Sequence, residues 1–188
     1  MKVTKDELLK IISESADDAD LNHLDVSGIT DMSRIFEDSD FNGDISKWDV
    51  SNVKVMTGMF QGSSFNRDIS KWNVGNVVDM KWMFQDSHFN QDISKWDVRN
   101  VKKMCGMFLD SMFNGDISEW NVSNVRGMDF MFANSEFNGD ISRWNVSKVE
   151  NMLSLHYSSR FTGDISMWKS LYSKSLNEAF AGIDIFKW

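Results

Sequence analysis

The chain has 188 residues, 41% hydrophobic and 26% charged, with a formal net charge of −8 and a pI near 4.8. That length suits one domain, and the acidity disfavours sequence-independent binding to nucleic acid or to an anionic membrane surface. Cys105 is the only cysteine, so no intramolecular disulfide can form.

At the N-terminus Thr4 and Glu7 have the spacing of a capping box, and Leu8, Leu9, Ile11 and Ile12 follow at helical spacing. This predicts a helix from Thr4 to about Ser15, inside an N-terminal cap and linker over residues 1–20. The same stretch lacks the apolar core and small-residue cleavage site of a signal peptide. No apolar run reaches the length of a bilayer span, and a cytoplasmic protein is the expectation.

From about Leu21 to Trp168 the text repeats every 24 residues, marked by Trp48, Trp72, Trp96, Trp120, Trp144 and Trp168, with Leu24 in the same column. Full units run 41–64, 65–88, 89–112, 113–136 and 137–160 without insertion or deletion, and a partial one opens at Phe161. Such a period means units that stack because none buries its apolar face alone. The absence of proline from the chain fits, since each proline removes a backbone donor. Residues 169–188 lose the period and are expected to form a C-terminal cap.

Within a unit, Ile45-x-x-Trp48-x-Val50-x-x-Val53 has the spacing of a leucine-rich-repeat strand segment. Alternation there would turn Trp48 and Val50 inward and Lys47, Asp49 and Ser51 outward. The following Val53-x-x-Met56-x-x-Met59-Phe60 steps by three, which predicts a short helix or 3-10 turn on the other side. Phe41 and Asn42-Gly43 turn the chain back.

The unit FN-x-DIS-x-W-[DN]-V-x-[NK]-V-x-x-M-x-x-MF resembles the BspA-like leucine-rich-repeat family, in its mycoplasma-type repeat of unknown function. The expected fold is therefore a leucine-rich-repeat-like solenoid, with short parallel strands on one face, short helical or 3-10 turns on the other and a helical N-terminal cap. The resemblance implies a binding role, often on bacterial surface proteins, which makes a surface or secreted location the alternative to a cytoplasmic one.

The tryptophan column and the methionines at Met56, Met59, Met80 and Met83 read as core. The column Asp44, Asp68, Asp92, Asp116, Asp140 and Asp164 places carboxylates about 4.8 Å apart, where repulsion demands compensation. Hydrogen bonds from turn N–H groups supply it in one reading; cations held with the neighbouring asparagines supply it in another. Outward on the expected strand face stand Lys47, Lys71 and Lys95, with Asp49 and Asp97 beside them. These form either a binding strip or a solubilising, salt-bridged surface.

Elsewhere the repeat departs from its own pattern toward apolarity. Trp82 and Phe130 occupy the column of Gly58, Gly106 and Ser154, with Leu109 and Met112 nearby. They read as interface anchors, or as large residues alternating with small ones so that coils interlock. No nucleophile constellation, phosphate loop or metal-ligand motif is present in the sequence. The expectation is a non-enzymatic protein-binding module without cofactor or metal, contacting a protein partner and neither nucleic acid nor membrane directly, with its oligomeric state open. The alternatives are an acidic inhibitor that occupies the nucleic-acid-binding groove of another protein, and a calcium-stabilised adhesion module.

Overall fold

The computed structural model describes residues 1–168; the C-terminal cap expected over 169–188 lies outside them. The helix α1, Lys5–Glu14, is capped at Thr4, whose hydroxyl accepts from the Glu7 N–H at 3.3 Å while the Thr4 N–H donates to Glu7 Oε2 at 2.8 Å. Leu8 and Ile12 carry its apolar stripe into the core.

The remaining described residues wind as a stack of 24-residue coils, and here the expected strand-bearing, leucine-rich-repeat-like solenoid is corrected. Among the described residues there is one helix and no strand. Neighbouring coils meet instead at single parallel bridges, Asp31 to Val55, Val55 to Asp79, Asp79 to Lys103, Lys103 to Gly127 and Gly127 to Asn151. These five bridges lie on the side expected to be helical; two more, Lys2 to Asp25 and Asp20 to Asp44, stand on the other arm at the N-terminal end of the stack.

Local turn chemistry explains the reversal. In the stretch read as a strand, Asp44 Oδ1 accepts from Ser46 N–H at 2.9 Å and the Ile45 carbonyl accepts from Trp48 N–H at 3.1 Å. The arrangement then recurs, with Asp49 Oδ1 accepting from Ser51 N–H at 3.0 Å and the Val50 carbonyl from Val53 N–H at 2.9 Å. Two such turns in succession use backbone groups that a ladder would need.

On the other side, alternate N–H groups have different destinations. Those of Met56, Gly58, Phe60 and Gly62 reach carbonyls of the next coil at 2.8–2.9 Å, whereas those of Met59, Gln61 and Ser63 return to carbonyls three residues back in their own coil. Consecutive helical bonds cannot form in that alternation. Each coil also carries two left-handed residues, at the columns of Gly58 (φ 59°) and Gly62 (φ 64°), which interrupt any extended run.

The columns read as core are buried: Trp48, Val50, Val53, Met56, Met59 and Phe60 all lie inside, as do their equivalents apart from the half-buried His156 in the Phe60 column. Stacked rings run through the array, with Phe60 to Phe84 at 5.5 Å, Phe65 to Phe89 at 6.3 Å and Trp48 to Trp72 at 6.4 Å between centroids. Each indole N–H from Trp48 to Trp144 donates to a carbonyl of the preceding coil, as Trp72 does to Ile45 at 3.2 Å. Side chains thus join coils where no backbone ladder runs. The asparagine column does the same: Asn42 Oδ1 accepts from Asn66 N–H, Asn66 from Asn90 and Asn90 from Asn114, each at 2.9 Å.

Candidate interaction surface

The columns between Val53 and Phe65 vary most from coil to coil, and this stretch carries inter-coil backbone bonds. Its outward column Arg34, Gly58, Trp82, Gly106, Phe130, Ser154 has left-handed backbone throughout, with φ between 51° and 60°. Glycine enters that region at no steric cost, whereas a bulky residue there is a genuine outlier. Trp82 (φ 56°) and Phe130 (φ 57°) adopt it nevertheless, with relative exposures of 36% and 42%.

The indole of Trp82 leans along the stack. A β-carbon at Gly106 would lie 2.8 Å from Trp82 Nε1 and closer still to Cδ1, and the Lys81 ammonium stands 5.1 Å from the centre of the indole. Large and small residues therefore do interlock at this pair, as one of the two sequence readings requires. The outer part of the ring remains in solvent.

The structure brings Trp82 and Phe130 to one column two coils apart, with Leu109, half-buried, in the intervening coil three residues beyond Gly106. Met112 is exposed but stands in a different column, that of His88 and Glu136, past the buried Ser111. Lys47, Lys71, Lys95, Asp49 and Asp97 are all exposed on the other arm of the coil, about half a repeat away along the chain. Two candidate surfaces exist rather than one.

Sequence reasoning missed the rims of the aromatic column. Before it stand the exposed Lys54, Lys102 and Lys103, and after it the exposed Asp38, Asp86 and Asp110. Asp86 (φ 50°) and Asp110 (φ 55°) are left-handed, in the column of Gly62. Exposed Leu153 and Tyr157 extend the apolar area toward the last coil. The signal for this geometry was present in Gly58, Gly62 and Gly106, which mark the columns that need a positive φ.

The aspartate column has an internal explanation. Every member accepts a backbone N–H two residues on, from Ser46 to Asp44 at 2.9 Å through to Ser166 to Asp164 at 2.8 Å. For Asp44, Asp92, Asp116, Asp140 and Asp164 that N–H is the main cause holding the carboxyl below its ordinary value, and the serine hydroxyl the second. For Asp68 the Ser70 hydroxyl comes first. Among the described residues no three His, Cys, Asp or Glu side chains gather as metal ligands would.

A polar hollow of about 630 Å³ is lined by Asp44, Asn66, Arg67 and Asp68 among others. Its groups are already engaged, since Arg67 Nε donates to the Asn42 carbonyl at 2.8 Å and both carboxylates serve their turns. Cys105 is half-buried with its thiol 3.5 Å from Asp129 Oδ2, and burial raises its pKa. A reactive thiolate requires the opposite shift. No helix among the described residues is long and apolar enough to cross a membrane.

The family model described as Mycoplasma protein of unknown function, DUF285, matches residues 7–112 and again residues 87–187. Neither the comparison with curated proteins nor that with solved structures gives a match. The two matches together run almost the length of the chain and overlap within the array, as a repeated unit allows, and the chain belongs to this mycoplasma repeat family of unknown function.

Proposed function

We propose that the protein is a non-enzymatic binding module whose partner is a protein, engaged through the face centred on Trp82 and Phe130. One observation carries the reading: two aromatic residues occupy left-handed positions that glycine fills in the coil before Trp82 and in the coil between the two, and both leave ring surface in solvent. Each such residue costs on the order of 1–3 kcal/mol of backbone strain. Strained, exposed aromatic side chains are what an interface anchor uses. The strip of Lys47, Lys71, Lys95, Asp49 and Asp97 is the lesser candidate, because it lacks apolar surface to desolvate.

The finer kinship, with BspA-like repeats, rests on the text of the unit and supports binding as the family's work. The proposed setting is cytoplasmic, and the surface or secreted location that the kinship implies is its alternative. The acidic-inhibitor reading draws on the net charge of −8, but the aromatic face carries both signs of charge. A calcium-stabilised module would need carboxylates that are free of the turns.

The test is affinity capture from a lysate of the source organism with the full chain, wild type against Trp82→Gly/Phe130→Gly. Glycine suits the backbone at both positions, so the variant is expected to keep its circular dichroism and cooperative melting. Loss of a specific protein from the variant's eluate supports the reading, and an unchanged eluate overturns it.

A further inference from the structure

We propose that the occupant of the aromatic face is a second copy of the chain, docked about a two-fold axis parallel to the stack of coils. The inference rests on the binding role assigned to that face and names the partner. Taken over the stack, lysines gather on one side of the aromatic column and aspartates on the other, and the coil 89–112 carries both. Lys54, Lys102 and Lys103 stand on the first side, and Asp38, Asp86 and Asp110 on the second.

The acids on the basic side already have partners: Asp31 lies 3.3 Å from Lys5 Nζ, and Glu150 pairs with Arg126 in the neighbouring coil. Asp79 Oδ2 lies 3.9 Å from Lys81 Nζ and 3.5 Å from Lys103 Nζ, two cations for one carboxylate. Asp129 accepts from the Leu153 N–H at 2.9 Å and lies against the Cys105 thiol. The basic rim therefore keeps a positive surplus, while Asp86 and Asp110 supply the negative one.

A partner of uniform charge would gain on one rim and lose on the other. A second copy resolves this, but only in one orientation. Rotation by a half turn about an in-plane axis along the stack keeps every coil at its own height and exchanges the two rims. Lys102 and Lys103 of one copy then face Asp110 of the other in register, Lys54 comes level with Gly62 between the coils of Asp38 and Asp86, and Trp82 and Phe130 each meet their own counterparts. An in-plane axis across the stack would set basic rim on basic rim. Isologous pairing of this kind is the commonest form of homo-oligomer, and like charges opposed across an interface weigh strongly against the alternative.

The experiment is sedimentation velocity on the full chain, with Lys54→Glu/Lys102→Glu and Asp86→Lys/Asp110→Lys as charge-swapped variants. The wild type is expected to sediment as a dimer, each variant alone to self-associate about tenfold or more weakly, and an equimolar mixture to recover a heterodimer. Recovery on mixing also shows that both variants are folded; circular dichroism and melting of each alone identify any that is not. In that case Lys102→Gln and Asp110→Asn, which remove the charge without reversing it, are substituted and are expected to weaken the dimer in the same direction.

A wild type that remains monomeric at about 100 µM overturns the proposal. So does a dimer indifferent to the swaps. If the dimer resists the swaps but is lost in Trp82→Gly/Phe130→Gly, the two-fold arrangement fails while the aromatic face stands as an interface. If the glycine variant keeps both its dimer and its captured proteins, the binding reading itself fails.

Discussion

The Trp82 indole lies over the α-carbon of Gly106 in the following coil, occupying the space that a side chain there would need. Gly106 is also left-handed, with φ 60°, so Gly106→Ala meets two penalties, backbone strain and collision with the ring. A loss of about 2 kcal/mol is expected in urea denaturation. In a Trp82→Gly background only the strain remains, so the double-mutant cycle should show a coupling of about 1 kcal/mol. Additive effects would mean that the ring moves aside freely and that interlocking contributes nothing.

The turn aspartates make stability depend on acid. The serine N–H and hydroxyl groups hold the carboxyls of Asp44, Asp68, Asp92, Asp116, Asp140 and Asp164 below the ordinary range. The folded chain thus binds fewer protons than the unfolded chain between its lowered pKa values and the ordinary value of about 3.9. Their contribution is fully present above that value and is lost as pH falls through the folded values. With respect to these groups the melting temperature should be level from about pH 7 to pH 5 and fall steeply below about pH 4.

Asp92→Asn isolates one member of that ladder. Asparagine keeps the oxygen that accepts the Ser94 N–H, and nature uses it in the sister column, where Asn73 serves Gly75 at 3.1 Å and Asn121 serves Ser123 at 3.2 Å. The variant should match the wild type within about 0.5 kcal/mol at neutral pH and take up one proton fewer on acid unfolding. Asp92→Ala, which removes the acceptor, should cost about 1 kcal/mol at the same pH. Equal losses in the two variants would show that charge rather than the turn is what the column supplies.

These turns also show where the sequence was legible. Trp48, Val50, Met56 and Phe60 announce an interior by recurring, and the interior follows. The path of the backbone does not, because Trp48-x-Val50-x-x-Val53 suits an alternating strand and equally suits two successive turns that place Trp48 and Val50 inward. The deciding residues were polar. Asp44 with Ser46 and Asp49 with Ser51 repeat an Asp-x-Ser spacing that closes a turn, and Gly58 with Gly62 marks left-handed positions four residues apart. Read column by column, those glycines also identify Trp82 and Phe130 as strained, although the charge rims become visible only when the coils are in register.

The asparagine ladder replaces a backbone ladder on the side where turns have consumed the peptide groups. Asn90 is central: its N–H donates to Asn66 Oδ1 at 2.9 Å and its own Oδ1 accepts from Asn114 N–H at 2.9 Å. Asn90→Ala leaves the Asn114 N–H without that acceptor and should cost about 1–2 kcal/mol. Asn90→Asp retains the acceptor and should recover most of the loss at neutral pH. Amide hydrogen exchange at Asn114 supplies the local readout, faster in Asn90→Ala and close to wild type in Asn90→Asp.

His156 stands where the other full coils place a buried phenylalanine, with its ring 5.3 Å from that of Phe161. It is half-buried, and burial holds its pKa below the ordinary value of about 6.5. Between the folded and ordinary values the unfolded chain binds the extra proton, so the neutral ring's contribution is complete above about pH 6.5 and declines as pH falls through the folded value. Thermal melts from about pH 7.5 to pH 5 should therefore show a decline for the wild type that His156→Phe abolishes. A slope unchanged by the substitution would assign that decline to other groups.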